Sequence, residues 1–423
     1  MRRLALALAT LILLAGGVFA VYLWDKREAA RDVRGSPTVE FVETDEPEEE
    51  PAPPPPQPGK TPKAEVAWPT YGYDAERQRV APFDLRPPFR RIWTFGARNL
   101  LEFPPSIGYG RLYFTNNSGV LFAVSAKTGK RAWKFKSGRC VAATPAVANG
   151  TVFQAFLNKP PCNSDRNPGR LEGEVVALAA GFGKVRWRTR LGPTESSPLV
   201  ANGLVYVGDW RGRVYALDER TGRVRWTFEG DGRIKGALTL SANRLYAGSY
   251  KGHLYALNAT TGRQIWRASS QDRFGGRGQF YSTPAAAYGR LYLGSTDGKV
   301  YSFGATTGQL RWSQGTGDYV YSSPAVWRKK VYAGSYSGRF YAFDAATGDI
   351  VWQFEANGEI SGSPTILDGV VYFATLKETT YALDARNGKL LWSYADGKYT
   401  PVVADRERLY LVGHARIYGM VER

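Results

Sequence analysis

The sequence predicts an all-β fold, an eight-bladed β-propeller with four-stranded antiparallel blades. Two observations predict it. A unit of about 40 residues repeats along most of the chain, and each unit holds four short strand patterns, separated by glycine turns, and ends on a tryptophan. The composition agrees, because 47 glycines and an aromatic content of 13% suit many short strands joined by tight turns.

Before the repeats, residues 1–24 form a separate apolar segment. Met1-Arg2-Arg3 precedes 21 uncharged residues, Leu4 to Trp24. As a helix rising about 1.5 Å per residue, that run would span about 30 Å, the thickness of a hydrocarbon core. We expect an uncleaved transmembrane signal anchor. The alternative is a secretory signal cleaved at 18–20, but the apolar run continues past that site.

The basic residues around this segment give conflicting signals about its orientation. Two arginines precede it, and four basic residues follow it before residue 35. A Lys/Arg count alone would therefore place the following chain in the cytoplasm. A short basic N-terminus before an apolar run is, however, the pattern that export machinery reads. We expect a single-pass protein of the cell membrane with its propeller on the extracytoplasmic side.

The next segment, residues 25–65, is charged and then rich in proline. Its acidic stretch at 45–50 is followed by four consecutive prolines at 53–56. It has little apolar surface with which to offset the entropy of ordering. We expect a disordered, acidic, proline-rich linker that acts as a semi-rigid stalk. A proline-rich ligand for a partner protein is the alternative.

The repeats occupy residues 66–423. Segment 196–228 shows the unit clearly, with Asn-Gly, Arg-Gly and Thr-Gly turn signals between its four strands. Eight tryptophans close the strand sets, one for each expected blade. They are Trp93, Trp133, Trp187, Trp226, Trp266, Trp312, Trp352 and Trp392.

The two ends of the repeat region complete one another. Seven full units end near residue 394, and residues 399–423 hold three further strands without a closing tryptophan strand. Residues 90–95 supply that strand. We therefore expect Ile92 and Trp93 to lie beside Ile417 and Tyr418, so that the N-terminal strand closes the last blade and no sheet edge stays unpaired.

The repeat resembles the PQQ-like (pyrroloquinoline-quinone-like) propeller family. The shared motif is Tyr-Ala-Leu-Asp-x-x-Thr-Gly-x-x-x-Trp, at 215–226 and again at 255–266 with Asn258 in place of the aspartate. The lead-in at 68–74 is also similar to the segment that precedes such propellers. The resemblance implies that the eight tryptophans dock between neighbouring blades and are structural.

Two branches of this family imply different functions. One contains non-enzymatic scaffolds, among them the eight-bladed component of the outer-membrane β-barrel assembly machinery, to which this chain is closest in kind. The other contains quinoprotein dehydrogenases, which bind PQQ and calcium at the channel mouth beside a disulfide of adjacent cysteines. This chain has 2 cysteines and no adjacent pair. We expect no cofactor; PQQ and calcium are expected only for the alternative, a PQQ-dependent oxidoreductase.

Aligned repeats identify a variable position directly before each first strand, which should face the mouth of the central channel. Loops on a rigid scaffold commonly carry binding residues, and a charged and aromatic mixture suits a small polar ligand or a peptide segment. An ordinary exposed loop is the alternative. The candidate ligand-facing residues are Glu102, Glu195, Lys235, Tyr281, Tyr321, Ser361 and Lys398, with Ala142 at the eighth position.

Cys140 and Cys162 are expected to form a disulfide. Cys140 lies just before the second blade and Cys162 lies in its long insertion, and a pair outside the cytoplasm is typical of a bond that holds such a loop. A redox-active pair is the alternative, but the Cys-x-x-Cys spacing is absent. His253 and His414 have no histidine or cysteine at metal-ligand spacing. We expect neither a metal site nor catalytic residues, since no catalytic motif is present.

Positive charge is concentrated in the propeller. Residues 65–423 carry 48 Lys/Arg against 28 Asp/Glu, a net charge of +20. Such a surface favours anionic lipid headgroups or wall polymers; a generally basic proteome is the alternative. Nucleic acid is not expected, because no recognition module is present. We expect a membrane-anchored, extracytoplasmic propeller that binds protein or envelope components without turnover; the sequence predicts neither the partner's identity nor the oligomeric state.

Overall fold

Eight antiparallel sheets surround a central channel in the computed structural model of this protein, which describes residues 2–43, 65–162, 171–273 and 276–423. The predicted all-β, eight-bladed propeller with four-stranded blades is confirmed. In each blade the first strand lies next to the channel, where it contacts the first strand of a neighbouring blade, and the fourth lies at the outside.

The helix and strand bounds follow the chain. The segments before the blades are α1 (Arg2–Ala29), β1 (Val80–Ala81) and β2 (Phe89–Gly96). Blade 1 contains β3 (Ser106–Gly108), β4 (Arg111–Asn116), β5 (Val120–Ser125) and β6 (Arg131–Lys136). Blade 2 contains β7 (Ala146–Ala148), β8 (Thr151–Phe156), β9 (Gly173–Ala179) and β10 (Val185–Leu191). Blade 3 contains β11 (Leu199–Ala201), β12 (Leu204–Gly208), β13 (Arg213–Asp218) and β14 (Val224–Glu229).

The later blades repeat this order. Blade 4 contains β15 (Thr239–Ser241), β16 (Arg244–Gly248), β17 (His253–Asn258) and β18 (Gln264–Ser269), and a hairpin of β19 (Asp272–Arg273) and β20 (Gly276–Arg277) follows. Blade 5 contains β21 (Ala285–Ala287), β22 (Arg290–Gly294), β23 (Lys299–Gly304) and β24 (Leu310–Gly315). Blade 6 contains β25 (Ala325–Trp327), β26 (Lys330–Gly334), β27 (Arg339–Asp344) and β28 (Ile350–Glu355). Blade 7 contains β29 (Thr365–Leu367), β30 (Val370–Thr375), β31 (Thr379–Asp384) and β32 (Leu390–Tyr394), and blade 8 contains β33 (Val402–Ala404), β34 (Leu409–Val412) and β35 (Arg416–Glu422).

Burial separates the inner strands from the outer ones. Every residue of β8 is buried, whereas β14 alternates between exposed and half-buried residues. Successive side chains of a strand point to opposite faces. One face of each fourth strand therefore packs on the following blade while the other meets solvent.

The last sheet joins the two ends of the repeat region. Its strand order is β2-β35-β34-β33, with Trp93 opposite Gly419 and Phe95 opposite Ile417. The predicted closure by the N-terminal strand is confirmed. A β-bulge interrupts the pairing between Arg91 and Trp93.

A repeated hydrogen bond ties seven of the eight blades to the next blade in the described structure. The indole Nε1 of the closing tryptophan donates to a carbonyl in the turn between the third and fourth strands of the following blade. Trp226, for example, donates to the Ala259 carbonyl at 3.0 Å, and the Tyr206 hydroxyl donates to the same oxygen at 3.2 Å. Such indole bonds are made by Trp93, Trp133, Trp187, Trp226, Trp266, Trp312 and Trp352. Trp392 packs edge-on against Phe89, with 5.7 Å between ring centroids.

Residues 66–81 cross the channel at one end. The backbone of this lead-in segment is hydrogen-bonded to the first strands of blades 1, 2, 4, 5, 6 and 7, from Trp68 with Ile107 to Arg79 with Ile366. It then pairs in parallel with β29 as β1. The lead-in segment therefore covers the inner side of the first strands, and the channel mouth lies at the end where those strands begin.

Helix α1 covers the segment predicted as a membrane anchor. In the part of the chain that the structure describes, no helix combines the length and the apolar character that crossing a membrane requires. The transmembrane assignment of residues 4–24 therefore has no support from the structure.

Residues 30–43, which we name the N-terminal strap, pack on blades 5 and 6. Val33 pairs with Ser313 of β24, and the Val42 amide donates to the Tyr288 carbonyl at 3.1 Å. The buried guanidinium of Arg290 donates to 3 strap carbonyls. These bonds order a segment that buries little apolar surface, so the predicted disordered linker is wrong for residues 30–43. The acidic and proline-rich stretch at 44–64 lies outside the described residues.

Candidate functional site

The loops that precede the first strands meet at the mouth of the central channel. They line a small cavity of about 70 Å³ that is open to solvent. Six of the seven candidate residues line it: Glu102, Glu195, Lys235, Tyr281, Tyr321 and Ser361. Equivalent positions of the repeat therefore converge on one space, each brought there by the start of its own blade.

Glu195 is the most heavily bonded of these residues. Its carboxylate accepts hydrogen bonds from the Trp210 indole at 2.8 Å and the Tyr281 hydroxyl at 3.0 Å, and it lies 3.3 Å from the Lys235 ammonium. The Glu195 and Lys235 side chains are only 8% and 16% exposed. Because a buried charge needs partners, these contacts fix both side chains in the cavity wall.

Aromatic rings surround the Lys235 ammonium. It lies 4.8 Å from the ring centroids of both Trp210 and Tyr250 and 5.9 Å from that of Tyr281. The faces of aromatic rings attract cations electrostatically. The cavity wall therefore already holds one cation in a setting of rings and a carboxylate.

Glu102 is the second carboxylate of the cavity. Burial raises its pKa to about 7, and repulsion from Glu195 adds to the effect while attraction to Lys235 opposes it. Burial disfavours the charged form of a carboxylic acid because the surroundings solvate it poorly. Glu102 therefore exchanges its proton in the neutral pH range.

Tyr71 of the lead-in segment also lines the cavity. Its hydroxyl lies 3.3 Å from the Ser323 hydroxyl and 3.0 Å from the Ser363 hydroxyl, and the Arg79 guanidinium lies 4.1 Å from its ring centroid. Burial alone would raise the pKa of the Tyr71 phenol. The charge of Arg79 and the two serine hydroxyls outweigh it, so that this pKa lies below its ordinary value.

Hydroxyls directly before the first strands connect neighbouring blades around the channel. The Thr283 amide donates to the Ser323 hydroxyl, and the Ser323 amide donates to the Ser363 hydroxyl, both at 2.9 Å. The Thr144 amide donates to Ser197 in the same way. The Ser-Ser-Pro and Ser-Thr-Pro signals of the repeat thus join blades side by side and hold the cavity wall rigid.

The two remaining aligned positions lie elsewhere. The Lys398 ammonium lies 3.8 Å from the Glu378 carboxylate, and the neighbouring Tyr399, not Lys398, lines the cavity. Ala142 is buried in a small apolar cluster behind the wall, with Cys140, Leu157 and Trp210. The alignment therefore located the cavity but not the direction of every side chain.

Cys140 and Cys162 form the predicted disulfide, with 5.7 Å between their Cα atoms. The Cys140 amide and carbonyl are both bonded to the backbone of residues 157–158. Since Cys140 packs with Trp210, the disulfide fixes the insertion of blade 2 directly behind the Glu195 side of the cavity.

Both histidines are paired with carboxylates. His253 contacts Asp231, and His414 Nδ1 lies 2.5 Å from the Glu378 carboxylate. Over the described ranges there is no group of three His, Cys, Asp or Glu side chains that could hold a metal ion. At the mouth, a calcium ion would need free oxygen ligands, but both Glu195 oxygens already accept donors and Lys235 adds a positive charge. Glu195 is therefore not available as a calcium ligand.

The comparisons with known proteins agree with the fold. The sequence profile of the family described as Outer membrane protein assembly factor BamB matches residues 78–160, 171–340 and 296–417. BamB of Burkholderia pseudomallei is 29% identical over 160 residues, which are 37% of this chain and 38% of that protein. The dehydrogenase subunit of the quinone alcohol dehydrogenase of Komagataeibacter europaeus is 27% identical over 203 residues, 38% of this chain and 25% of that protein. The chain thus matches well under half the length of these curated relatives.

Solved structures show the same architecture. BamB from Moraxella catarrhalis superposes with a TM-score of 0.62 at 17% identity, covering 80% of this chain and 98% of that one. Quinohemoprotein alcohol dehydrogenase from Comamonas testosteroni superposes with a TM-score of 0.69 at 16% identity, covering 84% and 80%. These likenesses establish the fold alone. Because the family profile spans most of residues 78–417, the chain belongs to the PQQ-like repeat family described as outer membrane protein assembly factor BamB.

Proposed function

We propose that this protein is a non-catalytic binding or scaffold module that acts outside the cytoplasm and holds a protein or another envelope component at its channel mouth. The observation that carries the proposal is the lining of the mouth cavity, where charged and aromatic side chains of several blades meet Tyr71 of the lead-in segment. A pocket of this form receives a projecting group.

The disulfide between the buried Cys140 and the exposed Cys162 supports the proposed compartment. Disulfides persist in oxidising environments and are rare in the cytosol, and Cys140 is only 3% exposed. We therefore place the propeller on the extracytoplasmic side of the envelope. Thiol titration of the denatured protein, purified without reductant, should detect no free thiol, and two free thiols would contradict this placement.

Attachment to a membrane by insertion of α1 is part of the same proposal. Large apolar side chains of the helix, such as Leu13 at 76% and Val18 at 71% exposure, lie open to the surroundings. Exposed apolar surface on this scale marks a site of contact with lipid or protein. Alkaline carbonate extraction of native membranes should leave the full chain in the pellet, whereas a chain that starts at residue 30 should be released.

The net charge of +20 over residues 65–423 suggests anionic envelope polymers or lipid headgroups as additional partners. Retention on an anionic polymer at physiological salt would support that role. Elution below physiological salt would indicate that the positive charge reflects a generally basic proteome and not a binding role.

The main experiment compares two faces of the propeller. Lys235→Ala, Tyr281→Ala and Tyr321→Ala together alter the mouth. A matched control alters three exposed cations in turns at the other end of the blades: Lys127→Ala, Arg220→Ala and Arg386→Ala. Proximity labelling in the native envelope should lose its main partners with the mouth variant and keep them with the control. A mouth variant that labels the same proteins as the unchanged chain would overturn the proposal.

A quinone-dependent oxidoreductase is the second candidate, and the similarity to the quinone alcohol dehydrogenase subunit over 203 residues favours it. Absorption spectra of the native protein, before and after addition of PQQ and calcium, would detect a bound quinone. Oxidation of an alcohol or sugar by the loaded protein would establish this candidate in place of the binding module.

A further inference from the structure

The two carboxylates of the mouth cavity differ in their partners. Glu195 is held by Trp210, Tyr281 and Lys235. Across the described ranges, neither a hydrogen bond nor an ion pair is recorded for Glu102, and only burial and the more distant charges of Glu195 and Lys235 act on it. When Glu102 is ionised, the cavity therefore contains one anion more than Lys235 can balance.

Aromatic rings form much of the remaining wall. The rings of Tyr281 and Tyr321 are perpendicular, with 5.4 Å between their centroids. The ring centroids of Phe103 and Tyr71 are 6.1 Å apart. Lys235 shows how a cation is accommodated here, because its ammonium lies against ring faces and a carboxylate at once. An anionic ligand would instead meet two carboxylates.

We propose, building on the mouth as the binding site, that this cavity takes the cationic end of a flexible chain, a lysine ammonium or arginine guanidinium of a partner protein. Glu102 acts as the counter-ion, and the tyrosine and phenylalanine rings form the walls. A flexible methylene chain ending in a charge matches a cavity that is apolar at its sides and anionic at one point.

Proton release provides a direct readout. The ionisable groups that act on or feel Glu102 are Glu195, Lys235, Tyr281 and Tyr399. With a Glu102 pKa of about 7, a bound cation should displace about half a proton per site at pH 7. Titration calorimetry in two buffers of different ionisation enthalpy measures that proton.

The probes are capped Gly-Gly-Lys-Gly-Gly, the same peptide with arginine or norleucine at the centre, and free 1,5-diaminopentane. We expect the lysine and arginine peptides to bind at least tenfold more tightly than the norleucine peptide. Glu102→Gln should weaken the lysine peptide at least tenfold and abolish proton release. Glu378→Gln is the matched control, because Glu378 pairs with His414 and Lys398 outside the cavity.

Each other outcome rejects the inference in a recognisable way. If Glu102→Gln binds the lysine peptide as tightly as the unchanged protein, or if the norleucine peptide binds as tightly as the lysine peptide, the cavity does not recognise a cation. Tighter binding of the free diamine assigns the cavity to small amines and rejects a protein side chain. If the protein fails to bind the lysine and arginine peptides while partner labelling still depends on the mouth residues, only this inference is rejected. If the peptides bind but partner labelling does not depend on the mouth residues, the proposed function is rejected.

A second inference rests on a separate observation, a missing side chain in blade 5. In the corresponding turn of blade 3, the Asp218 carboxylate accepts the amides of Arg220 and Thr221 and the Thr221 hydroxyl, at 3.2, 2.8 and 2.8 Å. Blade 5 has Gly304 at the aspartate position and so lacks the acceptor of this turn.

Glu40 of the N-terminal strap supplies the acceptor. Its carboxylate accepts the amides of Thr306 and Thr307 at 3.1 and 3.2 Å and the Thr307 hydroxyl at 2.7 Å. Arg311 binds it too, as the arginine at the same position binds Asp218 in blade 3. A Cβ atom on Gly304 would come within 1.8 Å of Glu40 Oε2. A side chain at 304 and the docked Glu40 therefore exclude each other.

We infer that the blade 5 turn is a docking site dedicated to the strap and that it fixes α1 beside the channel mouth. The end of the helix already reaches that side: Lys26 lies 3.6 Å from Asp272, and Gln271 donates to the Arg31 carbonyl at 2.9 Å. Asp272 and Gln271 both belong to the connection between blades 4 and 5, and this connection leads to the first strand of blade 5 at the mouth. A partner at the mouth would therefore meet the helix as well.

Hydrogen exchange of the full chain tests the docking. Gly304→Asp gives blade 5 its own acceptor and should displace the strap, which raises the exchange rates of the Val33, Gly35 and Val42 amides at least tenfold. Glu40→Ala should do the same, and Glu43→Ala, which removes an exposed ion pair with Lys329, should not. Undiminished strap protection in Gly304→Asp overturns the inference.

Discussion

Gly222 of blade 3 lies against the indole ring of Trp187 of blade 2, so closely that a Cβ atom on Gly222 would come within 2.5 Å of the ring. The same contact recurs at the glycines of six other turns, each beneath the tryptophan of the preceding blade. These are Gly129, Gly183, Gly262, Gly308, Gly348 and Gly388. The Thr-Gly of the repeat therefore serves both the turn and the contact between blades.

We predict that Gly222→Ala destabilises the propeller far more than Gly203→Ala. Both glycines have positive φ, 72° and 74°, but nothing lies within 4 Å of a Cβ atom on Gly203. Gly203→Ala should cost about 1 kcal/mol for the backbone alone. Gly222→Ala should cost at least about 2 kcal/mol more, because Trp187 must move. Urea unfolding followed by tryptophan fluorescence measures both, and equal losses would show that the ring contact contributes nothing.

Blade 2 lacks a tyrosine hydroxyl that its neighbours have. The Tyr206 hydroxyl of blade 3 donates to the Ala259 carbonyl, but blade 2 has Phe153 at that position, so the Glu219 carbonyl receives only the Trp187 indole from blade 2. We predict that Tyr206→Phe costs about 1 kcal/mol and that Phe153→Tyr gains about 0.5–1 kcal/mol. Thermal unfolding of the two single variants checks the opposite signs. A loss in Phe153→Tyr would mean that the space for the hydroxyl is absent.

The disulfide should contribute measurably to stability. It joins residues 22 apart in sequence, and in the chain-entropy model closing a loop of that length contributes about 3 kcal/mol. We predict that Cys140→Ser with Cys162→Ser lowers the free energy of unfolding by that order. Reduced unchanged protein should match the double variant in urea unfolding. If the double variant equals the oxidised protein, the bond adds no stability.

Asp74 gives stability a pH dependence. Burial raises its pKa from 3.8 to about 6, so the folded protein holds the proton more tightly than the unfolded chain. Stability should therefore fall as pH rises from about 4 to 6, and the full cost should remain above that range. Asp74→Asn keeps an acceptor for the Gln78 amide, bonded at 3.0 Å. We expect it to be more stable by about 1–2 kcal/mol at pH 8 and equal at pH 3.5. Urea unfolding of both proteins at both pH values measures this difference. The same difference in stability at pH 8 and at pH 3.5 would contradict the prediction.

The repetition in the sequence accounts for most of the fold. Trp-to-Trp spacing predicted the blades, and the unmatched strand at 90–95 predicted the closure with β35. Alignment also located the mouth, because equivalent residues of a rotational repeat must converge around the axis. Six of seven candidates line the cavity.

The residues that sequence reasoning missed depart from the repeat or lie outside it. Trp210 stands where blades 4 and 6 have Tyr250 and Tyr336, and that substitution was a visible signal at the mouth. Tyr71 reaches the cavity only because the lead-in segment folds back through the channel, which no local pattern shows. Gly304 in place of an aspartate marked an incomplete turn, but nothing local identified Glu40 as the side chain that completes it. Lys398 was misplaced because a nearby carboxylate, distant in sequence, attracts it.

Strand β35 lies between β34 and β2 and follows all the other strands of the propeller along the chain. During synthesis β2 therefore has no partner until β35 has been made, so the ring stays open and the edges of β2 and β34 stay available to other chains. A product that ends before residue 416 would lack β35 and would leave both edges unpaired. Pairing of β2 with β35 thus distinguishes a closed ring from an open one.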